Sequence, residues 1–98
     1  MAKEIVARDC EMTITQGEFL RLLPAAVAGV PFEFAAGAFH SGDSRRGWRI
    51  SLSQLPDRVI GAIRLVRYRA VFAFRSHSAD EIAAFLRRFD LYFARGGG

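Results

Sequence analysis

Residues 66–75 alternate with a period of two: Val66, Tyr68, Ala70, Phe72 and Phe74 take one set of positions, Arg67, Arg69, Val71, Ala73 and Arg75 the other. A strand puts successive side chains on opposite faces. This stretch therefore reads as a strand with an aromatic side and a side carrying three guanidinium groups. Strands with one apolar face do not stand alone in water, so the rest of the chain has to cover the rings. The other side, with its arginines, has to meet water or a partner.

Two segments have the pattern such a cover needs. Thr15-Gln16-Gly17-Glu18 and Ser78-Ala79-Asp80-Glu81 are both capping-box sequences, in which hydroxyl and carboxylate satisfy the first free amides of a helix. After the first, Phe19, Leu22, Leu23, Ala26 and Val27 fall on one helical face. The spacing predicts a helix from about 16 to 28, bent or interrupted near 23–24, because Pro24 lacks an N–H and its ring presses on the carbonyl of Leu20. Gly29 suits a left-handed C-terminal cap. After the second box, Ile82, Phe85, Leu86, Phe89 and Phe93 form a dense apolar stripe.

Between the helices, Pro31–Ala36 reads as a strand with Phe32, Phe34 and Ala36 inward, which Phe39 could extend. His40–Gly47 reads as a Gly-, Ser- and Asp-rich loop. Trp48, Ile50 and Leu52 alternate with Arg49, Ser51 and Ser53 in a second strand. Leu55-Pro56-Asp57 reads as a turn. Eighteen extended residues from Arg58 to Arg75 would span roughly 60 Å, too far for one strand here, and the apolar phase slips between Leu65 and Tyr68. The expectation is an irregular or edge segment over 58–65, flexible at Gly61, followed by a strand over about 66–75.

The fold predicted is α+β, order α-β-β-β-α. It is a two-layer domain in which a three-stranded, possibly four-stranded, antiparallel sheet carries the N- and C-terminal helices on one face. One domain over 12–95 is expected. Residues 1–11 show no periodic pattern and are expected as an extension, either a strand or a disordered segment, and Gly96–Gly98 as a disordered tail.

Charge is unevenly spread. Residues 44–75 hold eight arginines and one acid, Asp57, whereas the remainder is net negative. Arginine takes thirteen of the fourteen basic positions, which a compositional preference on a solvated face would also produce. The basic segment makes Arg45, Arg46, Arg49, Arg67, Arg69 and Arg75 the candidate residues for an anion or an acidic partner.

Other chemistries find little in the sequence. Cys10, His40 and His77 are single and lack ligand spacing, so no metal is expected, and nothing implies a cofactor. No GxSxG, GxGxxG or GxxxxGK[ST] motif occurs. His40, Ser41, Asp43 and Ser44 are the right types for a small catalytic loop, and the loop could equally nest an anion between Arg45 and Arg46. The rings lie opposite the arginines, which removes base stacking and leaves only salt-sensitive binding to nucleic acid.

No eighteen-residue apolar run, no leader-like start and a single cysteine point to a cytoplasmic protein that does not enter membranes. The leading expectation is a small non-enzymatic binding or interaction module that self-associates, most simply as a homodimer, through the sheet face or an edge. The alternative is an anion-binding protein, for nucleic acid or a phosphorylated ligand, that uses the arginine face.

Overall fold

The computed structural model describes residues 3–96. The elements are β1 (Glu4–Thr13), α1 (Gln16–Ala26), β2 (Glu33–Ala35), β3 (Ala38–Gly42), β4 (Gly47–Ile60), β5 (Ile63–Arg75) and α2 (Ala79–Gly96). The protein is α+β. Its five strands form one sheet in the order β1-β5-β4-β3-β2, every neighbouring pair antiparallel.

The sidedness read from the 66–75 alternation is present. Phe72 and Phe74 are fully enclosed, together with Ile50 of β4 and Phe39 of β3, and Trp48 of β4 is buried beside them. Both helices supply the cover: Phe19 and Leu23 from α1, and Phe89 and Phe93 from α2, complete the core. The rings interlock, with Phe89 edge-on to Phe72 at 4.8 Å and stacked on Phe93 at 4.0 Å between centroids. Each fully buried aromatic of this kind is worth about 1.5–3 kcal/mol of burial.

Five strands replace the expected three or four, and the element order begins with a strand. Residues Glu4–Thr13 form β1, paired along β5 from Glu4↔Arg75 to Thr13↔Arg67. A bulge between Val6 and Arg8 explains why this stretch shows no period: the extra residue flips the phase. Glu4 and Val6 share a face with Asp9, Glu11 and Thr13, while Arg8, Cys10 and Met12 turn toward the helices.

The strand expected over Pro31–Ala36 is instead a tight hairpin. Ala36 and Gly37 both have positive φ (54° and 77°) and reverse the chain between β2 and β3. A two-residue turn with both φ values positive matches the natural twist of a hairpin. His40 and Ser41 consequently lie in β3, and the loop to β4 contracts to residues 43–46.

The turn expected at Leu55–Asp57 and the irregular segment at 58–65 are corrected in the same way. β4 continues to Ile60 through a bulge between Leu55 and Arg58, and β5 begins at Ile63 after a two-residue turn at Gly61-Ala62. The extra residue lies in β4, and β5 is regular opposite it, so the apparent slip in apolar phase is Ile63 and Leu65 standing on the face of Arg67 and Arg69.

Helix α1 runs unbroken through Pro24 and stops at Ala26, two residues on. Pro24 has no N–H to give the Leu20 carbonyl, and the helix closes just beyond it, where the Gly29 amide donates to the Pro24 carbonyl with Gly29 at φ +73°. Thr15 caps α1 by accepting from the Glu18 amide, but Glu18 turns to Arg21 rather than back to Thr15. The second box closes fully: Ser78 Oγ accepts from the Glu81 amide at 3.1 Å, and Glu81 accepts from the Ser78 amide at 2.8 Å.

Candidate functional site

Three features qualify: the arginine face of the sheet, the loop between β3 and β4, and the arm formed by the outer ends of β4 and β5.

The arginine face draws Arg67, Arg69 and Arg75 from β5 and Arg49 from β4. Strand β1 lies beside them and contributes three carboxylates. Glu4 accepts from Arg49 at 2.5 Å and Arg75 at 3.2 Å, Asp9 takes Arg69 in a two-pronged contact at 2.9 and 2.5 Å, and Glu11 accepts from Arg67 at 2.5 Å. Arg67 also donates to the Pro56 carbonyl at the β4 bulge. The Asp9 carboxylate is held below its ordinary range by its hydrogen bond from Arg69. Ala73, in the middle of this face, is only 1% exposed, so the surrounding side chains close over it, as arginine stems do on apolar surface.

Sequence reasoning missed these carboxylates. The signal was present in Asp9-Cys10-Glu11-Met12-Thr13-Ile14, which alternates with the same period as β5. The bulge at Ala7 kept it from extending to Glu4. Also missed was Arg8, which faces inward. Its guanidinium takes both oxygens of Asp90 on α2, at 2.5 and 3.0 Å, and lies 5.7 Å from the Phe72 ring centroid. This contact fastens the edge strand to the C-terminal helix.

The loop over residues 43–46 brings Arg45 and Arg46 to the end of β5, where Arg75 is the candidate arginine that also contacts the loop. The anion its amides bind is its own: Asp43 Oδ1 accepts from the amides of Arg45 and Arg46 at 2.8 and 3.0 Å. Those two bonds lower the pKa of Asp43. Arg75 donates to the Asp43 carbonyl, Ser76 to the Arg45 carbonyl, and Arg46 to Ser76 and Glu81. Glu81, hydrogen-bonded by Arg46 and then by the Ser78 amide, is lowered to about 2. Among the described residues Arg45 is the one candidate arginine with no carboxylate partner.

Gly42 and Gly47 close the loop at a spacing no side chain tolerates. A Cβ on Gly47 would lie 2.1 Å from the Ser41 carbonyl oxygen, and one on Gly42 would lie 2.1 Å from that of Arg46.

The histidines are occupied by backbone. His40 Nε2 is 3.2 Å from the Ala35 carbonyl, and His77 Nδ1 is 2.8 Å from that of Arg75. The Ser41 hydroxyl donates to the Pro31 carbonyl. Thus His40, Ser41 and Asp43 each have a separate partner instead of forming a catalytic relay. No group of three or more His, Cys, Asp or Glu side chains able to hold a metal occurs among the described residues. Nor is any helix among them long and apolar enough to cross a membrane.

The arm is where the sheet loses its neighbours. Strand β3 accompanies β4 only to Ala38↔Ser51, and β1 accompanies β5 only to Thr13↔Arg67. Beyond these points β4 and β5 pair with each other alone. Val59 and Ile60 are each 56% exposed and Ile63 is 60% exposed. The register sets Ile60 against Ile63 and Arg58 against Leu65, with Arg64 4.0 Å from Asp57. The molecule is long as a result, 48 × 24 × 21 Å.

By architecture the chain is a two-layer α+β protein with an ion-paired sheet face and a projecting β-hairpin. No protein-family model matches it, and neither a curated protein nor a solved structure does.

Proposed function

We propose that the protein is a non-enzymatic interaction module that associates with a second copy of itself through the edge of the β4–β5 arm. The observation that carries this reading is the arm: two strands with open flanks whose tip presents Val59, Ile60 and Ile63 to solvent. An open strand edge is a template for another strand, and a two-fold axis lets one edge pair with its own copy. The arm carries both Asp57 and Arg64, so antiparallel copies offer each other opposite charges as well as apolar tips. Pro56 has no N–H to donate, which restricts continuous pairing along β4.

The reading that the arginine face binds nucleic acid or a phosphorylated ligand has less to support it. Four arginines there share three carboxylates from β1, and an incoming phosphate would have to displace them.

The test is size-exclusion chromatography with light scattering on the intact chain and on Ile60→Asp/Ile63→Asp. A dimer that the double substitution converts to a folded monomer supports the proposal. A clean monomer at about 1 mM protein, where even millimolar affinity would show, removes it.

A further inference from the structure

A solvent-open cavity of about 660 Å³ lies between the end of α1, the first half of α2 and the β3–β4 loop. This is within the usual range for small-molecule sites, which combine an apolar lining with a few polar groups. Val27, Trp48 and Phe85 form its apolar wall, Trp48 and Phe85 packing at 5.5 Å between ring centroids. The arm contributes nothing to it, so its role is independent of self-association.

Its charged groups are not balanced. Arg45, Arg46 and Arg88 line the cavity with Asp43 and Glu81. Both acids are committed: Asp43 to two loop amides, Glu81 to the Ser78 amide and to Arg46. Arg88 is held in place by donating from Nε to the Ala25 carbonyl at 3.0 Å and from Nη2 to the Tyr92 hydroxyl at 3.4 Å. Neither Arg88 nor Arg45 has a carboxylate partner among the described residues. The cavity therefore combines an apolar wall with three guanidiniums against two carboxylates, a net charge of +1, and Arg45 and Arg88 make no carboxylate contact among the described residues.

We propose that this cavity binds a small amphipathic anion, a carboxylate with an aliphatic or aromatic body. The body packs against Trp48, Phe85 and Val27, and the carboxylate takes charge-assisted hydrogen bonds from Arg45 and Arg88. A cationic amphiphile of the same length meets the same wall but the wrong charge.

Trp48 is the sole tryptophan, so its emission reports the site directly. Titration of the intact protein with decanoate is expected to give a saturable, one-to-one change, and decyltrimethylammonium a response at least about tenfold weaker, equivalent to ~1.4 kcal/mol. Arg45→Gln/Arg88→Gln, which leaves the lining net negative, should abolish the preference for decanoate. Ala84→Phe, which fills the cavity from α2, should abolish the decanoate response while far-UV circular dichroism stays unchanged. Equal affinity of the unaltered protein for the two amphiphiles, no saturation by decanoate at millimolar concentration, or an Ala84→Phe protein that binds decanoate normally would each overturn the assignment. The comparison of ligands on the unaltered chain stands even if the arginine variant fails to fold.

Discussion

Glu4 of the first strand sits directly opposite Arg75 of the fifth, and its carboxylate is shared between Arg75 and Arg49. Arg75 retains only 19% of its side-chain exposure and Arg49 35%. Among the described residues the Arg49 Nε is buried with no hydrogen-bond partner. Removing a partner from a half-buried charge costs more than removing one from an exposed pair. Glu4→Ala is expected to lower unfolding free energy by about 1–2 kcal/mol, and Asp9→Ala, whose pair with Arg69 is largely exposed, to lower it by less. Urea denaturation of both variants checks the order. Equal losses would mean that burial does not set the value of these pairs.

Deleting residues 1–11 is expected to destabilise the fold broadly. It uncovers the long edge of β5, removes Glu4, Asp9 and Glu11 from four arginines, and cuts the Arg8–Asp90 tie to α2. A loss of about 2–4 kcal/mol, the scale of a large core deletion, should appear as an earlier denaturant midpoint. A truncated chain as stable as the intact one would show that β1 is an ornament on a self-sufficient four-stranded sheet.

The depressed carboxyl of Glu81 makes a pH prediction. Its ordinary value is 4.5, and the Arg46 hydrogen bond and the Ser78 amide bring it to about 2 in the folded chain. A carboxyl lowered on folding contributes stability that is fully present above its unfolded value. That contribution is lost as pH falls toward the folded one. Stability should therefore decline between about pH 4.5 and about pH 2, and Glu81→Gln should shallow that decline relative to the unaltered protein. Asp43 and Asp9, lowered in the same direction, leave a residual slope in the variant. Chemical denaturation at several pH values across this window reads the difference, and parallel curves would count against the Glu81 assignment.

Gly47→Ala places a methyl 2.1 Å from the Ser41 carbonyl oxygen, against the backbone of the facing strand β3. Forcing the strands apart is expected to cost about 1–3 kcal/mol. It should also loosen the cavity wall at Trp48, so the near-UV dichroism of that ring should weaken with the midpoint. Gly17→Ala has open space around its Cβ and serves as the tolerant comparison.

Much of the architecture was legible because its signal is local. The alternation of Tyr68, Phe72 and Phe74 with Arg67, Arg69 and Arg75 needs only the geometry of one strand, and Ser78-Glu81 needs only one helical turn. The missed features needed information from elsewhere. The bulge at Ala7 erased the period of β1, because one inserted residue changes the phase of a pattern whose repeat is two. In β5 nothing is inserted: Ile63 and Leu65 stand on the face of Arg67 and Arg69, where apolar residues look like a break in the pattern. Ala36 was read as the end of a strand because nothing in its immediate composition distinguishes a positive-φ alanine. The hairpin twist imposes that conformation.

The same division holds for the candidate site. Which arginines share a face follows from β4 and β5 alone, but whether they are free depended on carboxylates 45 or more positions earlier in the chain. Charge in a sequence is a sum, whereas charge at a surface depends on which side chains come within a few ångströms. Apolar spacing by itself determined that rings would go inside and guanidiniums outside. Only the tertiary structure decided that Glu4, Asp9 and Glu11 would answer those guanidiniums. It also decided that Arg45 and Arg88 would stand over an apolar cavity without carboxylates of their own, because partnership between distant segments is set by packing and register.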